Sequence, residues 1–197
     1  MRIVMVAGFP GSGKTALISR MVSPGTGVIV NNPESVSLIP EGVRSAYFPM
    51  RSPCARPRQF LHWIEKVYNE WGVDTLITEP PGMCTETSSR VLAAVLALRD
   101  ERFEVGPLIT VFKGGILVKG ISSDTSDGLR MRQQISESDI VVISAAEDID
   151  RDDICGTVHS LNPDADIHFF SETGGSVDEV RTAVYSDRTL SRALNAL

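Results

Sequence analysis

Short apolar runs alternate with helix-like segments from one end of the chain to the other. The runs are rich in Val and Ile and are bounded by glycine, proline or polar residues, a pattern typical of strands buried on both faces. Alternation of strands with helices predicts a parallel sheet covered by helices on both sides. The predicted strands are Arg2–Ala7, Val28–Val30, Arg44–Phe48, Thr75–Thr78, Pro107–Phe112, Asp139–Ile143 and Asp166–Phe170.

Helices are predicted where apolar residues recur at spacings of three and four. In the clearest of them, Phe60, Ile64 and Val67 share one face, and Gly72 ends the helix. The pattern therefore predicts an α/β fold with a doubly wound, mostly parallel sheet. The predicted helices are Lys14–Met21, Arg58–Trp71, Ser88–Arg99, Gly128–Glu137, Asp152–Leu161 and Ser176–Leu197.

Two further stretches are predicted to lack regular structure. Residues 31–42 read as a polar loop punctuated by proline. Gly114, Gly115 and Gly120 are expected to break the chain after the fifth strand.

The first strand runs into the sequence GFPGSGKT, residues 8–15, and a helix follows. G-x-x-x-x-G-K-T in this context is typical of the phosphate-binding loop of P-loop NTPases, the alternative being a glycine-rich turn of another α/β protein. Lys14 is expected to reach the β- and γ-phosphates, and the Thr15 hydroxyl to ligate Mg²⁺. The residues expected to contact the nucleotide here are Gly8, Pro10, Gly11, Ser12, Gly13, Lys14, Thr15 and Ala16.

An acidic residue follows the fourth predicted strand. Glu79 precedes Pro80-Pro81-Gly82, and strand C-termini converge on the ligand crevice of a doubly wound sheet. Glu79 is therefore predicted to hold the Mg²⁺ shell or orient water, with the Gly82 N–H beside it, the alternative being an acidic turn cap. Asp74 precedes this strand and is predicted to be structural.

The residues after the second strand leave the sheet at the same edge. Asn31, Asn32 and Glu34 are predicted to lie near the nucleotide, where a polar loop can sense the γ-phosphate. A simple connecting loop is the alternative.

Composition limits the class of protein. The 197 residues fit a single domain, and the net charge of −6 opposes binding to nucleic acid. The longest apolar run, residues 91–98, is too short to span a membrane. Three scattered cysteines do not form a disulfide framework, so a cytoplasmic protein with reduced thiols is expected.

These motifs, in this order, resemble those of the SIMIBI-class metallochaperone GTPases, the CobW, HypB and UreG group. The phosphate loop matches, and residues 27–32 resemble the family's second strand and switch. DTLITEPPG, residues 74–82, resembles the strand that ends in Glu-x-x-Gly. Residues 139–144 resemble the strand before the guanine motif, and residues 162–180 the end of the family's domain.

The resemblance implies a GTP-dependent homodimer with Mg²⁺ that delivers a metal to a client metalloenzyme. In this family cysteines after the second strand and after Glu-x-x-Gly hold the metal, and Cys54 and Cys84 occupy those places. Their thiolates suit Zn²⁺ or Ni²⁺, or an iron–sulfur cluster shared between subunits. The alternative is that both are ordinary small residues. His62 is predicted to be a surface or core residue rather than a ligand, and Cys155 is predicted to be structural.

The chain departs from the family at the base site. The guanine motif Asn-Lys-x-Asp falls on residues 144–147, where only Glu147 offers a carboxylate to guanine; Asp148 or Asp150 are alternatives. The turn that contains Ser171, Glu172 and Thr173 is expected to offer backbone groups to the base. Lys113 stands where the family usually has aspartate.

The sequence thus predicts a switch protein that binds and slowly hydrolyses a nucleoside triphosphate, GTP before ATP, in metal delivery or metalloenzyme maturation. One alternative is a small-molecule kinase whose Arg130 and Arg132 clamp phosphates. Another is a regulatory module that binds nucleotide without turnover.

Overall fold

The computed structural model describes residues 1–48, 57–81, 88–171 and 177–186, and these residues build a seven-stranded sheet. Every neighbouring pair of strands is parallel, so the predicted doubly wound sheet is confirmed and is parallel throughout. The strands are β1 (Arg2–Gly8), β2 (Thr26–Val30), β3 (Arg44–Tyr47), β4 (Thr75–Thr78), β5 (Glu104–Lys113), β6 (Ile140–Ser144) and β7 (Asp166–Phe170). Their order in the sheet is β3-β2-β4-β1-β5-β6-β7.

Helices cover both faces of the sheet. They are α1 (Lys14–Met21), α2 (Pro57–Trp71), α3 (Ser88–Ala97), α4 (Gly114–Gly120), α5 (Ser126–Glu137), α6 (Arg151–Leu161) and α7 (Asp178–Tyr185), with a 3₁₀ helix at Pro33–Leu38. Leu17 of α1 and Val184 of α7 pack with Val4 and Val6 on one face. Helices α2 and α3 cover Ile3 and its neighbours on the other face, and α4, α5 and α6 cover the β5–β6 side.

The predicted break at Gly114, Gly115 and Gly120 is wrong, because these glycines lie in helix α4. A Cβ on Gly114 would lie 2.5 Å from Ile149 Cδ1, and one on Gly120 would lie 2.8 Å from Met131 Sδ. Glycine at these two positions lets α4 approach its neighbours closely, and the buried Leu117 anchors it.

Two other segments differ from their predictions. Part of the predicted polar loop forms the 3₁₀ helix Pro33–Leu38, which Asn32 caps by accepting a hydrogen bond from Glu34 N at 3.1 Å. Helix α7 ends at Tyr185 because Ser186 is extended, and residues 187–197 lie outside the described part of the chain. Among the helices that the structure describes, none has the length and hydropathy needed to cross a bilayer.

Candidate nucleotide-binding site

The carboxyl ends of three neighbouring strands, β2, β4 and β1, bring the predicted site together at one edge of the sheet. Strand β4 pairs with β1 on one side and β2 on the other. The Glu79 N–H donates to Ile29 O at 2.8 Å, and the Thr78 hydroxyl donates to Val4 O at 3.3 Å. These bonds hold Glu79 next to the loop that leaves β1.

The glycines of that loop are required by its geometry. Gly8 has φ +133°, and a Cβ built on it would lie 2.1 Å from Val111 O. Gly11 and Gly13 have φ of +73° and +89°, in the left-handed region that favours glycine. Gly13 immediately precedes α1, so the loop turns directly into the helix N-terminus, which suits anion binding.

Replacing Gly8 with alanine is expected to lower the free energy of unfolding by about 3 kcal/mol or more, because the new methyl group collides with the β5 backbone. Gly115→Ala is a matched control: nothing lies within 4 Å of its added Cβ and it is helical, so stability should rise by up to about 1 kcal/mol. Urea denaturation followed by circular dichroism measures both. Equal midpoints for Gly8→Ala and the wild type would contradict the close approach.

Three polar side chains meet at the start of α1. The Thr15 hydroxyl donates to Glu79 Oε2 at 2.8 Å, and Lys14 Nζ lies 3.9 Å from Glu79 Oε1. Lys14 Nζ also donates to Phe9 O at 2.9 Å across the loop. The structure therefore places the predicted lysine, threonine and carboxylate side by side.

Burial controls the protonation of the charged pair. Burial lowers the pKa of Lys14 below its ordinary value, and the nearby Glu79 carboxylate opposes this. Burial raises the pKa of Glu79, while Lys14 and the Thr15 hydrogen bond act in the other direction. For each group, desolvation shifts the pKa more than the charged partner shifts it back. A ligand group of opposite charge would therefore stabilise the charged form of each.

Sequence reasoning missed Ser35. The 3₁₀ helix turns this residue inward, where it is buried with its hydroxyl 3.5 Å from the Thr15 hydroxyl. The signal was available, because Asn32 followed by Pro33 is the sequence of a helix N-cap with proline at the first position.

A cavity of about 420 Å³ opens over these groups. Its lining combines the loop, the ends of β2 and β4, and the 3₁₀ helix, so that most of the predicted contact residues share one space. The described residues that line it are Pro10, Gly11, Gly13, Lys14, Thr15, Ala16, Asn31, Asn32, Ser35, Leu38 and Glu79.

Among the described residues, the other predicted contact residues do not line that cavity. Ser12, within the loop, is buried, and Glu34 and Glu147 are exposed. The Ser171 carbonyl accepts a hydrogen bond from Arg20 at 2.9 Å. Gly82, Cys54, Cys84, Glu172 and Thr173 lie outside the described residues.

The segment after β6 is tied to the phosphate loop. The Ser144 hydroxyl donates to Ser12 O at 2.8 Å and approaches Phe112 O at 3.3 Å. Ala145 follows with φ +46°, an uncommon conformation for a residue with a Cβ. Asp150 caps α6 by accepting from the N–H groups of residues 152 and 153 at 3.0 and 3.3 Å. Of the three carboxylates considered for the base, Asp150 is thus committed to a helix cap.

No cluster of three or more His, Cys, Asp or Glu side chains suited to a metal ion occurs within residues 1–48, 57–81, 88–171 and 177–186. His62 is exposed, and Cys155 is a half-buried free thiol. Burial and the nearby Asp152 raise the pKa of that thiol, which keeps it protonated.

A glycine-rich loop between the central strand of a parallel sheet and a helix, with a carboxylate at the end of the adjacent strand, defines a P-loop nucleotide-binding protein. Residues 2–169 match the model of the CobW/HypB/UreG nucleotide-binding domain. The chain therefore belongs to the CobW/HypB/UreG family. No curated protein matches the sequence.

Solved structures of low sequence identity share the fold. The hydrogenase maturation factor HypB from Archaeoglobus fulgidus is 16% identical with a TM-score of 0.65, over 92% of this chain and 87% of that one. The Zn(II)-bound YjiA GTPase from E. coli is 13% identical with a TM-score of 0.62, over 94% of this chain and 63% of that one. The chain thus spans less than two thirds of the length of YjiA.

Proposed function

We propose that this protein binds GTP with Mg²⁺ and hydrolyses it slowly, as a switch in metal delivery or metalloenzyme maturation. The observation that carries this proposal is the partly buried hydrogen bond between Thr15 and Glu79 at 2.8 Å, with Lys14 beside it in the cavity. A hydroxyl, a carboxylate and an ammonium group at a helix N-terminus are the groups that phosphoryl chemistry uses.

The residues present fit a magnesium nucleotide. Mg²⁺ prefers oxygen ligands, and Thr15 Oγ1 and Glu79 Oε2 are two oxygens already within 2.8 Å of each other. We assign Thr15 as the direct ligand and Glu79 to the metal shell or the attacking water. Mg²⁺ supplies neutralisation of the charge that develops on the β- and γ-phosphate oxygens.

The chain's own groups then perform distinct tasks. Lys14 exchanges its bond to the Phe9 carbonyl for phosphate oxygens and neutralises their charge. The loop N–H groups around Gly11 and Gly13 surround the phosphates. Glu79 accepts a proton from the attacking water or orients it, a role that its raised pKa favours.

Ser35→Ala is expected to weaken the affinity of the nucleotide-bound site for Mg²⁺, because Ser35 adds a buried hydroxyl 3.5 Å from Thr15 Oγ1. Loss of one such hydrogen-bonding group costs about 1 kcal/mol, or about a fivefold rise in the Mg²⁺ concentration at half-saturation. Titrating Mg²⁺ against a fluorescent GTP analogue measures this value.

Ser37→Ala is the matched control for that titration. Ser37 lies on the same 3₁₀ helix, but it is exposed and its hydroxyl donates to Glu34 O at 2.7 Å. The control variant should behave as the wild type. Equal shifts in the two variants would mean that Ser35 acts only through the stability of the helix.

The proposed guanine specificity depends on Glu147. Glu147 is exposed in the turn after β6 and free of helix capping, so its carboxylate can accept from guanine N1 and N2. Ser144, which anchors this turn to the phosphate loop, supports its placement beside the nucleotide. Backbone groups near Ser171, with Glu172 and Thr173, complete the base site in this proposal.

The metal that is delivered, the homodimer and the client enzyme are inferred from membership of the family, not from contacts of the described residues. We propose that Cys54 and Cys84 bind Zn²⁺ or Ni²⁺, or an iron–sulfur cluster, at a homodimer interface, and that the metal passes to a client metalloenzyme. Two thiolates from each of two subunits complete the four-ligand site that these metals favour. The protein is proposed to act in the cytoplasm as a single nucleotide-binding domain, residues 1–197.

Of the alternatives, the kinase has less support in the structure. Arg132 donates to the carbonyls of Ile121 and Ser123 at 2.6 and 3.0 Å, and Arg130 pairs with Asp127 at 3.2 Å. Both guanidinium groups are engaged within their own helix and its preceding turn, so neither is arranged as a phosphate clamp.

Release of inorganic phosphate from GTP with Mg²⁺ tests the proposal. We expect slow turnover, on the order of 10⁻³ to 10⁻² per second, as is usual for GTPases without an activator. Transfer of the phosphoryl group to an added small acceptor faster than to water would instead identify a kinase. Tight binding without any phosphate release would identify a regulatory module.

A further inference from the structure

Ser144, the last residue of β6, has a buried hydroxyl that is directed at the backbone of the phosphate loop. The residue is 5% exposed, and the described lining of the cavity does not include it. Its hydroxyl donates to Ser12 O at 2.8 Å and lies 3.3 Å from Phe112 O. Because a hydroxyl carries a single proton, the shorter contact is the main hydrogen bond. Ser144 therefore acts on the loop and not on a nucleotide directly.

The carbonyl that accepts this bond belongs to the peptide group that joins Ser12 to Gly13. This peptide is trans, and in a planar trans peptide the N–H points away from the C=O. Since the Ser12 carbonyl faces Ser144, the Gly13 N–H faces the opposite side, where Gly13 lines the cavity. The Ser144 hydroxyl thus sets the direction of an N–H group in the loop that surrounds the phosphates.

Steric restriction alone does not hold this peptide in place. Its plane turns with ψ of Ser12 and φ of Gly13, and glycine, here at φ +89°, restricts that rotation only weakly. Two neighbouring positions contribute no N–H group to a phosphate, because Pro10 has none and the Ser12 N–H donates to Phe9 O at 3.2 Å. The direction of the Gly13 N–H therefore matters to the site, and the hydrogen bond from Ser144 fixes it.

We propose that Ser144 is a positioning residue for phosphate binding, which holds the Ser12–Gly13 peptide with its N–H directed at the phosphate chain. This inference rests on the proposed function, since the cavity must bind phosphates. It also extends that function: the first residue of the segment 144–147, which corresponds to the guanine motif, serves the phosphates and not the base. A contact of this kind is the same for every base, so GTP and ATP depend on it equally.

The test compares three ligands, each with Mg²⁺: inorganic tripolyphosphate, which has no base, GTP and ATP. Ser144→Ala should bind all three about fivefold more weakly than the wild type in calorimetric titrations, the loss that corresponds to about one hydrogen bond. Ser144→Thr keeps a hydroxyl on a residue type that suits a strand, and it should bind all three ligands within about twofold of the wild type.

Ser138→Ala is the matched control. Ser138 is 1% exposed and precedes the other end of β6, where its hydroxyl donates to Gln134 O. This variant also loses a buried serine hydroxyl, so it should lower the midpoint of urea denaturation about as much as Ser144→Ala. Its affinities for the three ligands should equal those of the wild type, because the lost bond is remote from the phosphate loop.

Amide NMR reports on the loop itself. Addition of tripolyphosphate with Mg²⁺ should shift the Gly13 N–H resonance in the wild type and in Ser138→Ala. The shift should be smaller in Ser144→Ala, because the Gly13 N–H is no longer held toward the ligand, and Ser144→Thr should restore it.

Three results would overturn the inference while leaving nucleotide binding intact. The first is that Ser144→Ala keeps wild-type affinity for all three ligands. The second is that Ser144→Ala and Ser138→Ala lose affinity equally, which would attribute the loss to stability. The third is a loss confined to GTP, which would assign Ser144 to the base. Failure of the wild type to bind any of the ligands would overturn the proposed function itself, before any variant is compared.

Discussion

Lys14→Met should reduce the affinity for GTP with Mg²⁺ by about 100-fold or more. The Lys14 ammonium group is buried at the base of the cavity and lies within reach of both the Phe9 carbonyl and Glu79. A hydrogen bond to a charged group contributes about 1.5–3 kcal/mol, and two of them to phosphate oxygens account for the loss. Methionine keeps the length and volume of the side chain, so the loop should retain its shape.

Lys66→Met is the control for this experiment. Lys66 is exposed on α2 and lies over the Trp63 ring at 5.3 Å, away from the cavity lining. Calorimetric titration should give wild-type affinity for Lys66→Met. If Lys14→Met bound GTP as well as the wild type while remaining folded, the phosphate-binding role of the loop would be refuted.

Glu79→Gln should slow GTP hydrolysis by about 100-fold while changing GTP affinity by less than about tenfold. Glutamine preserves an acceptor for the Thr15 hydroxyl, which now donates to Glu79 at 2.8 Å, but removes the negative charge. Loss of one preorganised group that acts on the transition state typically costs two to three orders of magnitude, about 3–4 kcal/mol. Single-turnover phosphate release measures the hydrolysis step separately from binding.

The control for that variant is Glu65→Gln. Glu65 is exposed on α2 and lies 3.7 Å from Arg102, so its charge contributes nothing to the nucleotide cavity. A hydrolysis rate equal to wild type is expected for the control. Retention of that rate by Glu79→Gln would remove Glu79 from the chemistry and leave it a structural partner of Thr15.

Much of the fold could be predicted because the apolar periodicity and the sheet agree. Helix α1 begins at Lys14 and ends at Met21 as predicted, and β4 occupies Thr75–Thr78 as predicted. The position of Glu79 followed from one rule, that parallel strands end at the same edge of the sheet. These features depend on local residue preferences and on the pattern of apolar residues that become buried. Both can be read from a single sequence.

Other features depend on packing between distant segments. Glycines such as Gly114 and Gly120 commonly interrupt a helix. Here they lie within helix α4, where they permit close contact with Ile149 and Met131. Asn32 and Pro33 are a local signal for the start of the 3₁₀ helix, but the approach of Ser35 to Thr15 depends on how this helix packs against α1. A glycine that makes room for a neighbour cannot be distinguished by sequence from a glycine that ends an element.

Calorimetric titration of the metal-free protein with GTP and then with ATP, each with Mg²⁺, tests the central claim most directly. GTP should bind tightly and ATP at least about tenfold more weakly, since a carboxylate can accept from both N1–H and N2–H of guanine, whereas adenine has an acceptor at N1 and offers one donor group, at N6. Equal affinities, or a preference for ATP, would contradict the assignment of Glu147 to the base and of the protein to GTP-dependent switching. If neither nucleotide bound, this would contradict the claim that the cavity over Lys14, Thr15 and Glu79 binds nucleotide without a further component.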